Sequence, residues 1–262
     1  MSRLQIKNVS ASYKTQILDD INIEIGAGDF TVFVGPSGCG KTSLLNFVAG
    51  FNQPHKGTIT LDGKQITGPG SDRGVVFQQD ALLPWLNIID NVGLGLELQG
   101  IAKSERERRA KEVLALVDLA GFEYHKVWEL SGGMKQRASL ARALAADPQV
   151  LLMDEPFGAL DAFTREQVQA LILKVWHKTG KEILLVTHDI EEAVFLATEL
   201  ILMTPRPGRI VERLRLNFGG RFANGESARS IKSDPKFIEV REYVLSHFFT
   251  SREAADDREY SK

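Results

Sequence analysis

An α/β fold is predicted: a mostly parallel sheet with helices on both faces, an N-terminal antiparallel β subdomain and an inserted helical subdomain. Three observations carry that prediction. The octapeptide Gly35-Pro36-Ser37-Gly38-Cys39-Gly40-Lys41-Thr42 fits G-x-x-x-x-G-K-[ST] and lies between an apolar strand, Phe30–Val34, and an apolar helix, Ser43–Ala49. Two further apolar runs, Gln149–Met153 and Ile183–Thr187, read as strands buried on both faces. Helical patterns separate them, and alternating strands and helices imply parallel pairing.

The elements follow in order. Leu4–Val9 and Ile17–Ile25 read as strands. In the second, Ile21, Ile23 and Ile25 alternate with Asn22 and Glu24, the period of a half-buried strand. Gly57–Leu61, Asp62-Gly63 and Lys64–Ile66 make a hairpin around a tight Asp-Gly turn. The middle of the chain turns helical. Ser104 and Glu107 read as a capping box, and Ala110, Val113, Leu114 and Val117 mark one face of the helix behind it. A second helix is expected from Ser131 to about Ala146. After the strand Gln149–Met153, the residues Val168, Leu171, Ile172 and Val175 share one side of another helix. Beyond Asn217, a loop rich in Gly, Asn and Ser (Gly219 to Ser233) leads to an amphipathic helix, Pro235–Phe249, and a charged, frayed end. The organisation expected is one domain over 1–262. Its core and β subdomain lie at 1–81 and 147–216, its helical subdomain at 82–146 and a C-terminal extension at 217–262.

Composition narrows the classes of function. The chain has 262 residues, 43% hydrophobic and 25% charged, ordinary for a globular protein. Its 32 Lys and Arg nearly balance 34 Asp and Glu, which argues against nucleic acid as a partner. The longest stretch without a charged side chain is Thr42–His55, too short to cross a bilayer. The first residues lack the apolar core of a signal peptide, and one cysteine allows no internal disulfide. A cytosolic chain, or one attached to the cytosolic face of something else, is expected.

The octapeptide explains what such a chain can bind. Its glycines let successive N–H groups turn inward as an anion nest, and the helix behind it adds its positive end. Gly35, Pro36, Ser37, Gly38, Cys39, Gly40, Lys41, Thr42 and Ser43 are therefore expected at the phosphates of a nucleotide. Lys41 reaches the β- and γ-phosphates, and the Thr42 hydroxyl holds Mg²⁺. Cys39 reads either as a site of nucleotide-protected alkylation or as a small filler. The strand Val150–Met153 ends in Asp154-Glu155, and ligands sit at the carboxyl ends of parallel strands. Asp154 is placed to hold Mg²⁺ and Glu155 to deprotonate an attacking water. Leu130-Ser131-Gly132-Gly133-Met134-Lys135-Gln136-Arg137 begins a helix that Ser131 caps and whose glycines let phosphate approach the backbone.

That last segment resembles the signature motif of ATP-binding cassette ATPases, and the resemblance covers essentially the whole chain. It implies a P-loop NTPase core that binds ATP and Mg²⁺. Met134 stands where the family usually has Gln, so no amide contact to ligand is implied there. By resemblance, Gln78 senses Mg²⁺ and couples to a membrane partner, Asp161 lies at a dimer interface, His188 contacts the γ-phosphate and holds Glu155, and Tyr13 stacks on adenine. Each residue also has a plainer reading: a solvated surface for Gln78 and Asp161, a strand-end histidine for His188, core packing for Tyr13. In the family the signature helix of one copy faces the phosphate loop of the other, so a homodimer sharing two ATP is implied. Leu82-Leu83-Pro84-Trp85-Leu86 reads either as core or as a dock for a permease helix.

Within the family the chain is similar to ATPase subunits of bacterial importers for taurine, nitrate and other alkanesulfonates. The similarity lies in Gly68–Gln78 and Asp154–Thr164, and the tail Arg229–Pro235 favours taurine. It implies a permease dimer, a periplasmic or extracellular substrate-binding protein, and a peripheral place on the cytoplasmic face of the inner (plasma) membrane. Competing classes are a P-loop kinase, which would not need Leu130–Arg137, and a GTPase switch, whose N/T-K-x-D guanine reader is absent. A cassette acting on ribosomes or DNA would carry two cassettes or coiled coils.

Overall fold

The computed structural model describes residues 2–78, 81–204 and 207–259, with side chains from Leu4 to Phe248 within them. The chain falls into two compact units, Met1–Gly68 with Leu184–Lys262, and Pro69–Ile183. The first unit opens with β1 (Ser2–Ser12), β2 (Gln16–Gly26), β3 (Phe30–Val34), α1 (Lys41–Ala49), β4 (Lys56–Leu61) and β5 (Lys64–Gln65). The second holds β6 (Arg73–Val76), α2 (Ile88–Leu98), α3 (Lys103–Leu116), a 3-10 turn (Val127–Glu129), α4 (Gly132–Ala145), β7 (Val150–Asp154) and α5 (Ala162–Thr179). The chain returns through β8 (Glu182–Thr187) to α6 (Ile190–Leu196), β9 (Glu199–Met203), β10 (Ile210–Arg215), α7 (Phe218–Ala223), α8 (Ala228–Lys232) and α9 (Pro235–Glu259).

In the first unit, β2-β1-β4-β5 form an antiparallel sheet. Ile6 pairs with Ile23 on one side and Ile59 on the other, a buried row that fixes the register. Asp62 and Gly63 both take positive φ, the backbone a two-residue Asp-Gly hairpin turn requires. A mixed sheet runs β10-β9-β3-β8, with β3 parallel to β9 and β10 antiparallel at the edge. Strands β3, β8 and β9 are buried at every position, which is why their sequences are apolar runs rather than alternations.

Two expectations for the C-terminal region need correction. Gly219 to Ser233 is not a loop, because α7, which starts at Phe218, and α8 occupy most of it. Phe218 and Ile231 are buried there, and the Phe218 ring meets Phe237 edge-on at 5.1 Å. Ser227 caps α8 by accepting from Ser230 N, and Arg221 bridges Glu226 and Asp234. Polar composition concealed helices that an apolar face and a cap stabilise. Nor does α9 end at Phe249. It runs to Glu259 through a stretch rich in strong helix formers. Tyr260, Ser261 and Lys262 lie outside the described residues.

In the second unit β6 and β7 are parallel, Val76 opposite Met153. The capping box at Ser104 and Glu107 is not present. Helix α3 starts two residues earlier than that box would place it, with Ala102 as N-cap and no side-chain cap. Gly100 takes positive φ, and the Gly100 and Ile101 amides close the end of α2 on Glu97 and Leu96, which delivers the chain into α3 before Ser104. Glu107 pairs with Lys103 instead. Ala110, Leu114 and Val117 are buried as the periodicity predicts.

Candidate nucleotide site

The phosphate loop joins β3 to α1. Gly38 and Gly40 have φ of 79° and 94°, a left-handed backbone that only glycine adopts without strain. Gly40 has a second reason to be glycine: a Cβ there would stand 2.5 Å from Leu18 of β2. Beside Leu18, a Cβ on Gly208 would collide with the Cys39 carbonyl, and Gly208 N donates to Ile17 O at 2.7 Å. Gly208 is thus paired with Leu18 of β2, and the two together form one support beneath the loop. Lys41 is 5% exposed, and its ammonium donates to Gly35 O at 2.8 Å and Pro36 O at 3.1 Å. A cation is therefore held inside a curl of backbone, with Ser37, Gly38 and Thr42 exposed around it and Ser43 half-buried. This cradle fits a polyphosphate chain. Cys39 is fully buried, and burial pushes its thiol pKa up, so its small size matters more than its reactivity.

His188 is exposed at the end of β8, and it lines a cleft of about 200 Å³ with Gly35, Pro36 and Ser37 of the loop. Ile190, Leu245 and Phe248 complete the lining. Hydrogen bonds hold the turn that carries His188. The Thr187 hydroxyl donates to the buried Glu192 carboxylate at 2.9 Å and accepts from Asp189 N at 3.0 Å, and Asp189 caps α6 through Glu192 N. Tyr13 lies in the β1–β2 turn, 64% exposed, so core packing does not explain it; it does not line this cleft.

The second unit forms two more groupings. Asp154 and Glu155 are half-buried at the end of β7, and Gln78 Nε2 donates to Glu155 Oε2 at 3.4 Å. Glu155 has φ of 43°, which costs a non-glycine residue about 1–2 kcal/mol. Such strain is typically retained where it aims a functional side chain. In the other grouping, Ser131 caps α4 by accepting from Met134 N at 3.3 Å, and Asp161 caps α5 by accepting from Phe163 N and Thr164 N. Hydrogen bonding by the Thr164 side chain, and then by these amides, holds the Asp161 carboxyl below the usual carboxylate range. The caps are neighbours: a Cβ on Gly133 would strike the Thr164 methyl, and one on Gly132 would come to 3.9 Å from Leu160.

Several working residues escaped the sequence reading. Asn91 is fully buried, accepts from Leu83 N at 2.7 Å and donates to Leu83 O and Asn87 O. It pins the loop in which Leu82 is buried, Leu83 and Leu86 are half-buried and Trp85 is 71% exposed. Glu192 escaped too, although Asp189 and Glu192 have capping-box spacing. The Pro207-Gly208 dipeptide marks a turn, but nothing in the sequence tells that Gly208 packs against the phosphate loop.

A curled loop around a buried lysine, and a strand-end carboxylate pair in which the Glu155 backbone is strained, define a P-loop nucleotide-binding protein. The chain belongs to the ABC transporter family, whose model matches residues 18–158, and ATP is its nucleotide. The taurine import ATP-binding protein TauB of Pseudomonas putida is 61% identical over 261 residues, 98% of this chain and 100% of that protein. Its namesake in Pseudomonas entomophila (strain L48) is 62% identical, over 97% of this chain and 99% of its own. Among solved structures, the dimeric post-hydrolysis state of the ATP-binding cassette MJ0796 bound to ADP and Pi has a TM-score of 0.71 and 33% identity. It covers 81% of this chain and 98% of its own.

Proposed function

We propose that the chain is the ATP-hydrolysing subunit of an importer whose cargo is taurine, working as a homodimer on two Mg²⁺-bound ATP molecules and driving a separate membrane permease. The observation that carries the mechanism is the Lys41 cradle together with the strained Glu155. The identity to taurine import proteins over nearly their full length supports the cargo. Lys41 and the loop amides bind the β- and γ-phosphates. Glu155 takes a proton from water as the water oxygen bonds to the γ-phosphorus and the bond to the bridging oxygen breaks, leaving ADP and phosphate. His188 contacts the γ-phosphate and Tyr13 the adenine. The Thr42 hydroxyl, Asp154 and Gln78 are the groups that would hold Mg²⁺, which neutralises charge developing on the phosphate oxygens.

The dimeric cassette among the similar structures supports a reading in which Ser131, Gly132, Gly133 and Asp161 of one copy meet nucleotide held by the other. Closing on ATP does mechanical work because the closed state has contacts that the open one lacks. No helix among the described residues is long and apolar enough to cross a membrane. A permease dimer then supplies the pore, an outer binding protein delivers cargo, and this chain sits peripherally on the cytoplasmic face. The helical segment 82–146 has a docking surface for that permease. Trp85, Tyr124 and Trp128 are exposed, and their segments are joined by Ile88 N donating to His125 O.

Proteoliposomes carrying this chain with its permease and binding protein test the proposal. Labelled taurine should enter only with ATP inside. Preference for nitrate or a longer alkanesulfonate would overturn the cargo, and ATP turnover only with a phosphoryl acceptor would indicate a kinase.

A further inference from the structure

We propose that the C-terminal extension, α7 to α9, positions His188, and that Leu245 and Phe248 of α9 form the outer wall of the cleft in which it works. The inference rests on the reading of His188 as the γ-phosphate contact. His188 stands just before α6, which has seven residues and is too short to be held by its own hydrogen bonds. Three successive helices of the extension grip it. The Phe195 ring of α6 meets Phe222 of α7 edge-on at 5.7 Å. The Lys232 ammonium of α8 lies 5.3 Å from the centre of the same ring and 3.0 Å from Glu191 Oε1. Arg241 of α9 reaches Glu191 Oε2 at 3.8 Å.

Helix α9 then continues to the cleft. Arg241, Leu245 and Phe248 are spaced i, i+4, i+7, so one helix face serves both the Glu191 contact and the wall. Half-exposed ion pairs contribute about 0–1 kcal/mol each, so the aromatic packing supplies most of the hold and Glu191 sets the register. Opposite Gly35–Ser37 and His188, the apolar wall restricts water and strengthens the electrostatics of the cleft. The Thr187–Glu192–Asp189 bonds fix the turn from within.

Full-length variants test the inference. Phe248→Ala and Glu191→Gln should each lower kcat for ATP hydrolysis on the order of tenfold while titrated ATP affinity stays within about twofold. Phe248→Leu should recover most of the rate, and in a His188→Ala background Phe248→Ala should cost nothing further. Parent or faster turnover in Phe248→Ala and Glu191→Gln overturns the inference, as does loss of affinity and melting temperature in step with kcat. If His188→Ala is slow while those two variants run at the parent rate, the inference fails and the reading of His188 stands. A parent-rate His188→Ala beside a slow Phe248→Ala removes that reading and leaves the wall.

Discussion

Lys41 is the residue on which nucleotide binding turns. Its ammonium is buried and already committed to Gly35 O and Pro36 O, so an incoming phosphate meets a preorganised charge rather than a mobile side chain. Lys41→Ala should weaken ATP binding by about 2–5 kcal/mol, read by titration; unchanged affinity would contradict the assignment. Two residues away, Cys39 makes an opposite prediction. Burial raises its pKa, so thiolate is scarcer at neutral pH than for an ordinary cysteine and becomes available only as pH rises. A thiol reagent at pH 7 should label the folded chain far more slowly than the same chain in denaturant, with or without ATP. Rapid labelling that ATP blocks would show the thiol to be exposed in the site. Single residues were legible in the sequence where spacing encodes chemistry, as for Lys41, Asp154 and Glu155. The strain at Glu155 and the burial of Asn91 were not, because both arise from packing.

At the scale of elements, the phosphate loop depends on what supports it. Leu18 of β2 and Gly208, which is paired with it, support the loop together: Leu18 leaves no room for a Cβ on Gly40, and the Cys39 carbonyl leaves none for a Cβ on Gly208. Gly208→Ala should therefore push the Cys39 carbonyl, lowering both melting temperature and ATP affinity. Gly68→Ala, where nothing lies within 4 Å of an added Cβ, should change neither. Equal behaviour of the two variants would mean that the buttress has no role. Legibility varied in the same way. The Asp62-Gly63 hairpin and the Ser131 cap were readable because local backbone chemistry dictates them. Helix α2 was not: Gly93 and Gly95 interrupt its pattern, and a polar residue, Asn91, occupies a core position. Ser104 misled for the complementary reason, since the end of α2 sets where α3 begins.

For the whole molecule, the α/β class was legible because buried strands are apolar runs, and these recur between helices. What sequence could not give was the role of the C-terminal region, whose helices matter through the α6 and cleft contacts they make. Lys41 and His188 belong to one compact unit, Gln78 and Glu155 to the other. For hydrolysis, the cradle and the carboxylate must act on one nucleotide. The most direct test is Glu155→Gln, assayed for ATP binding, hydrolysis and sedimentation. The variant should bind ATP like the parent, lose nearly all turnover and sediment as a dimer when ATP is present. Turnover at the parent rate would contradict the account.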